Sequence, residues 1–265
     1  MPATLLIDAH VHLHPGDDPG ACLDAAAANL ARARDALQLT GEVTGVLMLT
    51  EMAGVNRFAE LAAGGPCGTW RIDRTGEAAS LTARRDGAVP LLLVAGRQAA
   101  TAERLEVLAL GTDSPLPDRA SLHATLNAAR ATGGLAVLPY GVGKWTGARG
   151  QMVRQIIERD GDDTPLLGDN ANRMAGLPTP ALLRDAATRG LPVLPGSDPL
   201  PLPGQLQRIG SYGLVIEHDL DPAVPARQLT AMLAGLARPP RRFGRLTSPW
   251  AFARTQLAMR MNKRR

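Results

Sequence analysis

At 265 residues the chain is long enough for one α/β domain with a sizeable core, and with 45% hydrophobic but only 3% aromatic side chains that core is built from Leu, Val, Ala and Ile. Two cysteines, Cys22 and Cys67, far apart and without a Cys-x-x-Cys spacing, exclude a zinc knuckle and a disulfide framework and suit a reducing cytoplasm. No uncharged run approaches the ~20 residues of a membrane span, and the first residues lack a basic leader with an apolar core, so a cytoplasmic protein without a transmembrane segment is expected.

Charge is unevenly spread. Of the 29 Lys and Arg, nine lie between Arg238 and Arg265 without a single Asp or Glu, which leaves 20 basic against 25 acidic side chains in the body. Such a tail suits the phosphates of a ligand, a nucleic acid or an anionic membrane surface; the alternative is a solvated basic terminus.

The first element is the apolar run Leu5-Leu6-Ile7, which leads through Asp8 into His10, His12 and His14. Side chains at i and i+2 of a strand share a side, so these imidazoles project together and two of them can grip one metal ion. A polar strand end without metal is the other reading of the same residues. A turn-rich stretch from Pro15 to Gly20 comes next, then an Ala-rich helix from Ala21 to Leu39. Gly45 to Thr50 reads as a second buried strand that delivers Glu51 and Met52 at its end, before a helix from Arg57 to Ala63.

Gly64-Gly65-Pro66-Cys67-Gly68 breaks the chain, and the stretch that follows, to Gly87, has no clear period. Strands are then predicted over Val89–Gly96, ending at Arg97-Gln98, and over Leu105–Leu110, with a helix from Asp118 to Thr132 stopped by Gly133-Gly134. Leu135–Pro139 is strand-like and runs into a Gly-rich loop, Tyr140 to Trp145, that contains Lys144. A helix from Gln151 to Arg159, a short apolar run ending at Asp169-Asn170-Ala171-Asn172-Arg173, a helix from Pro180 to Arg189 and a final strand before Gly196-Ser197-Asp198 complete the pattern. Apolar strands that alternate with polar loops and helices in six or seven units point to an α/β fold, a parallel barrel whose active site lies at the strand ends.

The order of motifs resembles the polymerase and histidinol phosphatase (PHP) domain family of metal-dependent phosphoesterases over Leu5 to about Glu217. The likeness is carried by DAHVHLH at the start, GVLMLTEM where the family has a strand ending in Thr-Asp-His, LLLVAGRQ where a strand ends in glutamate, and GSDPL where it has Gly-Ser-Asp-x-His. It implies a distorted (β/α)7 TIM-like barrel of parallel strands and that His10, His12 and Asp198 are metal ligands. The pattern departs at Glu51-Met52, at Gln98, at Tyr140 and at Leu200, where the family has Asp-His, Glu, His and His. A full multinuclear centre is therefore not expected; a single divalent ion (Zn, Mn or Fe) on His10, His12 and Asp198, with Glu51 or His14, or no ion at all, remains.

Arg97, Lys144 and Arg173 fall at strand ends, where cations suit a phosphate ester, and Asp169, Asn170 and Asn172 suit pocket-shaping or ligand contacts. His123 and His218 read as structural. The implied function is hydrolysis of a small phosphorylated molecule at a reduced metal site; the alternative is a catalytically inactive relative that binds a ligand or partner at the same pocket. The barrel is expected over 1–237 and a basic C-terminal extension over 238–265, with Pro239 to Gly244 a stiff linker and Pro249 to Met261 a helix whose Trp250, Phe252, Leu257 and Met259 pack back on the body or bind a partner.

Overall fold

A computed structural model describes residues 2–159 and 164–262. The chain opens with β1 (Thr4–Val11), whose side chains are buried on both faces, and α1 (Pro19–Ala36), started by Asp18, which accepts a hydrogen bond from Ala21 N at 2.7 Å, and by Pro19 in its first turn. β2 (Val43–Leu49) and the short α2 (Arg57–Ala62) come next, then β3 (Arg71–Arg74), β4 (Ser80–Arg84), β5 (Leu91–Val94), β6 (Gly96–Ala100) and β7 (Glu106–Leu110). The second half alternates α3 (Leu122–Ala131), β8 (Leu135–Pro139), α4 (Gly147–Glu158), β9 (Leu166–Asn170), α5 (Ala181–Thr188) and β10 (Val193–Gly196). It ends with β11 (Tyr212–Glu217), α6 (Pro225–Ala234), β12 (Arg241–Gly244) and α7 (Pro249–Asn262).

These strands do not close into the expected (β/α)7 barrel. They form two sheets, one of seven strands ordered β12-β11-β1-β2-β5-β4-β3 and one of five ordered β10-β9-β8-β7-β6. The reason lies in two places, the stretch without a clear period and the segment beyond β10. The β3–β4 hairpin pairs antiparallel on β5, and β11 and β12 add antiparallel on the far side of β1, so the first sheet continues to free edges. Among the described strands, only the pairs β1–β2, β2–β5, β8–β9 and β9–β10 are parallel.

The sheets face one another across an apolar interior of Leu5, Ile7, Val46, Met48, Leu92, Leu108, Val137 and Leu194, closed at one end by Leu229 and Leu233 of α6. On the outer side of the first sheet, Cys22, Leu23 and Leu30 of α1 and Phe58 of α2 pack with Leu6, Leu47 and Leu91. On the outer side of the second, α3, α4 and α5 bury Leu126, Val153 and Leu183 against Val107, Leu138 and Leu167. Burial of this Leu- and Val-rich surface is the main favourable term in the fold.

At the ends of the parallel strands the two sheets touch. Glu51 N donates to Gly96 O at 3.0 Å and Gln98 N to Glu51 O at 2.9 Å, while Asp198 N donates to His10 O at 2.9 Å. Both approaches need glycine: a Cβ on Gly96 would lie 2.1 Å from Leu49 O, and one on Gly196 would lie 2.4 Å from His10 N.

The segment Pro239 to Gly244 is not a free linker. Arg241 to Gly244 form β12, which pairs antiparallel with β11 in the register Tyr212↔Gly244 and Leu214↔Arg242. After it, Thr247 N and Oγ1 both donate to Ala171 O, at 2.9 and 2.7 Å, and Ala175 N donates to Thr247 O at 2.7 Å, which anchors the root of α7. Phe252 and Met259 are half-buried, whereas Trp250 and Leu257 are exposed, so only part of the expected packing forms.

Candidate metal site

β1 carries a register irregularity against β2 between Asp8 and Val11, the kind of local bulge that re-aims side chains at a sheet end. Just there His10 and His12 turn toward each other, their Nε2 atoms 3.1 Å apart. The third member comes from the other sheet. Asp198 follows β10 in the left-handed region (φ 47°), a conformation that Asp tolerates better than most residues, and this turn returns its carboxylate to the histidines. Asp198 Oδ1 lies 3.5 Å from His10 Nε2 and 3.6 Å from His12 Nε2.

Among the described residues, these three form a group whose ligand atoms lie within 4.8 Å of one another. Ligands about 2.1 Å from a common ion stand about 3.0 Å apart at a right angle and about 3.4 Å apart at the tetrahedral angle, so the observed separations fit one divalent cation. The chemistry of the donors fits as well. Burial, followed by the neighbouring His10, pushes the His12 imidazole down to about 3, which leaves it neutral with a lone pair to give. Burial opposes the charge of Asp198, but His10, His12, the Asn172 amide and Lys144 together hold its carboxyl below the usual carboxylate range.

The surrounding shell fixes this geometry. β9 and β10 run in parallel register, Asp169↔Pro195 and Asn170↔Gly196, so two residues further on Asn172 stands beside Asp198. Its Nδ2 donates to Asp198 O at 2.7 Å and Oδ2 at 3.3 Å, while its buried Oδ1 has no partner among the described residues. Asp8, wholly buried, accepts from Ser197 N and Gly210 N, each at 2.8 Å, and from His10 N at 3.3 Å, which ties both halves of the site to one carboxylate. His14 Nε2 donates to Pro199 O at 2.9 Å and braces the loop after Asp198.

The remaining residues singled out in the sequence have other partners. Glu51 is outside the cluster: its Oε1 accepts from Arg57 N at 2.5 Å and Phe58 N at 3.2 Å at the start of α2, and its Oε2 is 3.9 Å from Arg97 Nη1. Arg97 donates to Val55 O at 2.7 Å and pairs with Asp113. Lys144 pairs with Glu106 while remaining near enough to act on Asp198. Asp169 receives Arg173 Nε at 2.6 Å and Nη2 at 2.8 Å, Arg242 Nη1 at 2.8 Å and Tyr212 OH at 3.2 Å. Gln98 Oε1 is buried without a partner among the described residues, and His123 and His218 contact Asn127 and Gln228 away from the cluster.

Arg208, Tyr212 and Arg242 join the site's surroundings without any signal in the sequence. Arg208 donates to Ala171 O at 2.9 Å and lies within electrostatic reach of both Asp8 and Asp198. None of the three stands in a motif, and Arg242 reaches Asp169 only because β12 pairs antiparallel on β11.

Burial pushes the Glu51 carboxyl from 4.5 up to about 7 despite the helpful amides of Phe58 and Arg57. A carboxyl raised on folding stabilises the fold fully below its unfolded value and loses that contribution as pH rises through the folded one. Between pH 4 and pH 8 the Glu51→Gln variant is therefore expected to gain about 3 kcal/mol relative to the parent, read from urea unfolding at the two pH values. Parallel pH profiles for the two proteins would contradict this account of Glu51.

A solved structure shares this architecture. PsfC from Pseudomonas syringae PB-5123 matches with a TM-score of 0.53 over 96% of this chain and 97% of that chain, at 14% sequence identity. At that identity the likeness concerns the fold alone. No protein-family model and no curated protein matches the chain.

Proposed function

We propose that His10, His12 and Asp198 hold one divalent cation, zinc, manganese or iron, and that the chain hydrolyses a small phosphate ester there, as a reduced relative of the PHP phosphoesterases. The observation that carries this reading is the convergence of two imidazoles and one carboxylate from two different sheets at single-ion spacing. Two histidines and a carboxylate leave coordination positions open for water and substrate. The bound ion supplies Lewis acidity toward a phosphoryl oxygen and acidifies water.

The protein's own groups do the rest. Asn172 orients the Asp198 carboxylate, and Asp8 holds the Ser197 amide and the His10 amide in place. Arg208, within electrostatic reach of Asp198, contributes a positive charge beside the site that suits an anionic substrate. A second metal has no ligands in this reading, because Glu51 faces α2 and Asp169 is saturated by Arg173, Arg242 and Tyr212.

The full pairing of Arg97, Lys144 and Arg173 favours a second reading, a ligand-binding protein without turnover. Phosphate release from small monoesters by the metal-loaded chain separates the two. The hydrolase reading expects metal-dependent release that falls at least about a hundredfold in Asp198→Asn, a variant able to keep the left-handed backbone. Saturable ester binding without release supports the second reading.

A further inference from the structure

α7 has two faces. Half-buried Phe252 and Met259 and buried Thr255 pack on the body, and on the opposite side Trp250, Leu257 and Met261 are 72, 61 and 58% exposed. Spacings of seven and four residues put these three on one line of the helix, with Arg254 between them. Arg254 stacks on Trp250, its guanidinium carbon 4.9 Å from the ring centroid.

Cations lie on α7 itself and in the segment that leads into it. Arg238, Arg241, Arg245, Arg254 and Arg260 are all exposed, and none makes an ion pair among the described residues. In the body Arg34, Arg57, Arg71, Arg85, Arg97 and Arg154 each meet a carboxylate, while exposed arginines such as Arg104 and Arg119 also make no ion pair among the described residues, so what sets this segment apart is the absence of any acidic residue beside its cations. No Asp or Glu occurs after Asp221, so no local partner exists for the five.

We propose that α7 is an interfacial helix that seats the chain on an anionic membrane surface, Trp250, Leu257 and Met261 entering the headgroup boundary while the unpaired arginines meet lipid phosphates. The ground for this is charge complementarity joined to an apolar stripe on one helix face, the combination that such a surface selects. A second copy of the chain is disfavoured as the occupant because its own unpaired arginines would face these. Nucleic acid would use the arginines and the Trp250 ring but leaves Leu257 and Met261 in water. No described helix is long and apolar enough to cross a bilayer, so the contact is peripheral. It is independent of the metal site.

The test is co-sedimentation of the full chain with phosphatidylglycerol-containing vesicles and with pure phosphatidylcholine vesicles, with tryptophan emission read in parallel. Trp70 and Trp145 are buried, so a blue shift on binding reports Trp250. Expected are binding to the anionic vesicles, weakening with added salt, a blue shift, and loss of that shift in Trp250→Ser. Arg254→Gln and Arg260→Gln are each expected to lower partitioning about fivefold, and they keep the test valid if the Trp250 variant folds poorly. Failure to bind anionic vesicles, binding without a blue shift, or binding unchanged in the arginine variants would overturn the proposal. So would capture by a DNA duplex with the vesicles ignored, or a dimer in which Trp250 is already shielded.

Discussion

Replacing Asp169 by alanine is expected to destabilise the protein by about 4 kcal/mol, because it leaves the Arg173 guanidinium buried without a counter-charge. Asp169 has no exposed side-chain surface and the Arg173 side chain is only 8% exposed, so neither group can turn to water. The carboxylate accepts from Arg173, Arg242, Tyr212 and its neighbour Asn170 N; without it the buried Arg173 Nε and Nη2 lose this acceptor, while Arg242 Nη1 keeps Tyr212 OH at 3.2 Å. Asp169→Asn fares little better, since its NH₂ would face a guanidinium. Arg242→Ala, by contrast, removes a cation whose side chain is 34% exposed and should cost about 1 kcal/mol or less. Urea unfolding of the three variants checks the ordering; an Asp169→Ala protein within about 1 kcal/mol of the parent would contradict it.

Asp8→Ala is the second large effect. Three amides, those of His10, Ser197 and Gly210, lose their acceptor at a position with no exposed surface. At about 1–3 kcal/mol for each unsatisfied donor, a loss of about 4 kcal/mol is expected even after the desolvation of the carboxylate is recovered. Asp8→Asn should lie between the two, because one amide face still accepts from Ser197 while the other presents a donor to Gly210 N. The same substitution should weaken divalent-metal affinity at least about tenfold, as Ser197 is the residue before Asp198 and His10 is itself a ligand. Stability lost with metal affinity unchanged would show that Asp8 has no part in aligning the site.

Much of this was legible in the sequence, and what was missed has a common cause. The buried strands β1, β2, β5, β7, β8, β9 and β10 are written as Val- and Leu-rich runs, and their helices carry ordinary start and stop signals. His10 and His12 are legible as a period of two on one strand, whereas Asp198 joins them only through the likeness of GSDPL to the PHP motif, since nothing local links positions 188 residues apart. Arg71–Arg74 and Gly96–Ala100 are short, partly polar strands that acquire their identity only by pairing, so the sheets' free edges, and hence the absence of a closed barrel, left no local mark. The two prolines before Arg241 suggested a linker, yet Arg241–Gly244 forms an edge strand, a place where the missing amides of preceding prolines do no harm. Asp169–Arg242 spans 73 positions, beyond any local pattern.

Metal binding by His10, His12 and Asp198 is the point on which the functional reading stands or falls. Chelator-stripped protein should be titrated with Zn²⁺ or Co²⁺ and the loaded sample measured by X-ray absorption at the metal edge. The expected result is one ion per chain, with two imidazole nitrogens and a carboxylate oxygen about 2.0–2.2 Å away and open positions filled by water. No stoichiometric uptake, or a coordination shell left unchanged by Asp198→Asn, would contradict the central claim.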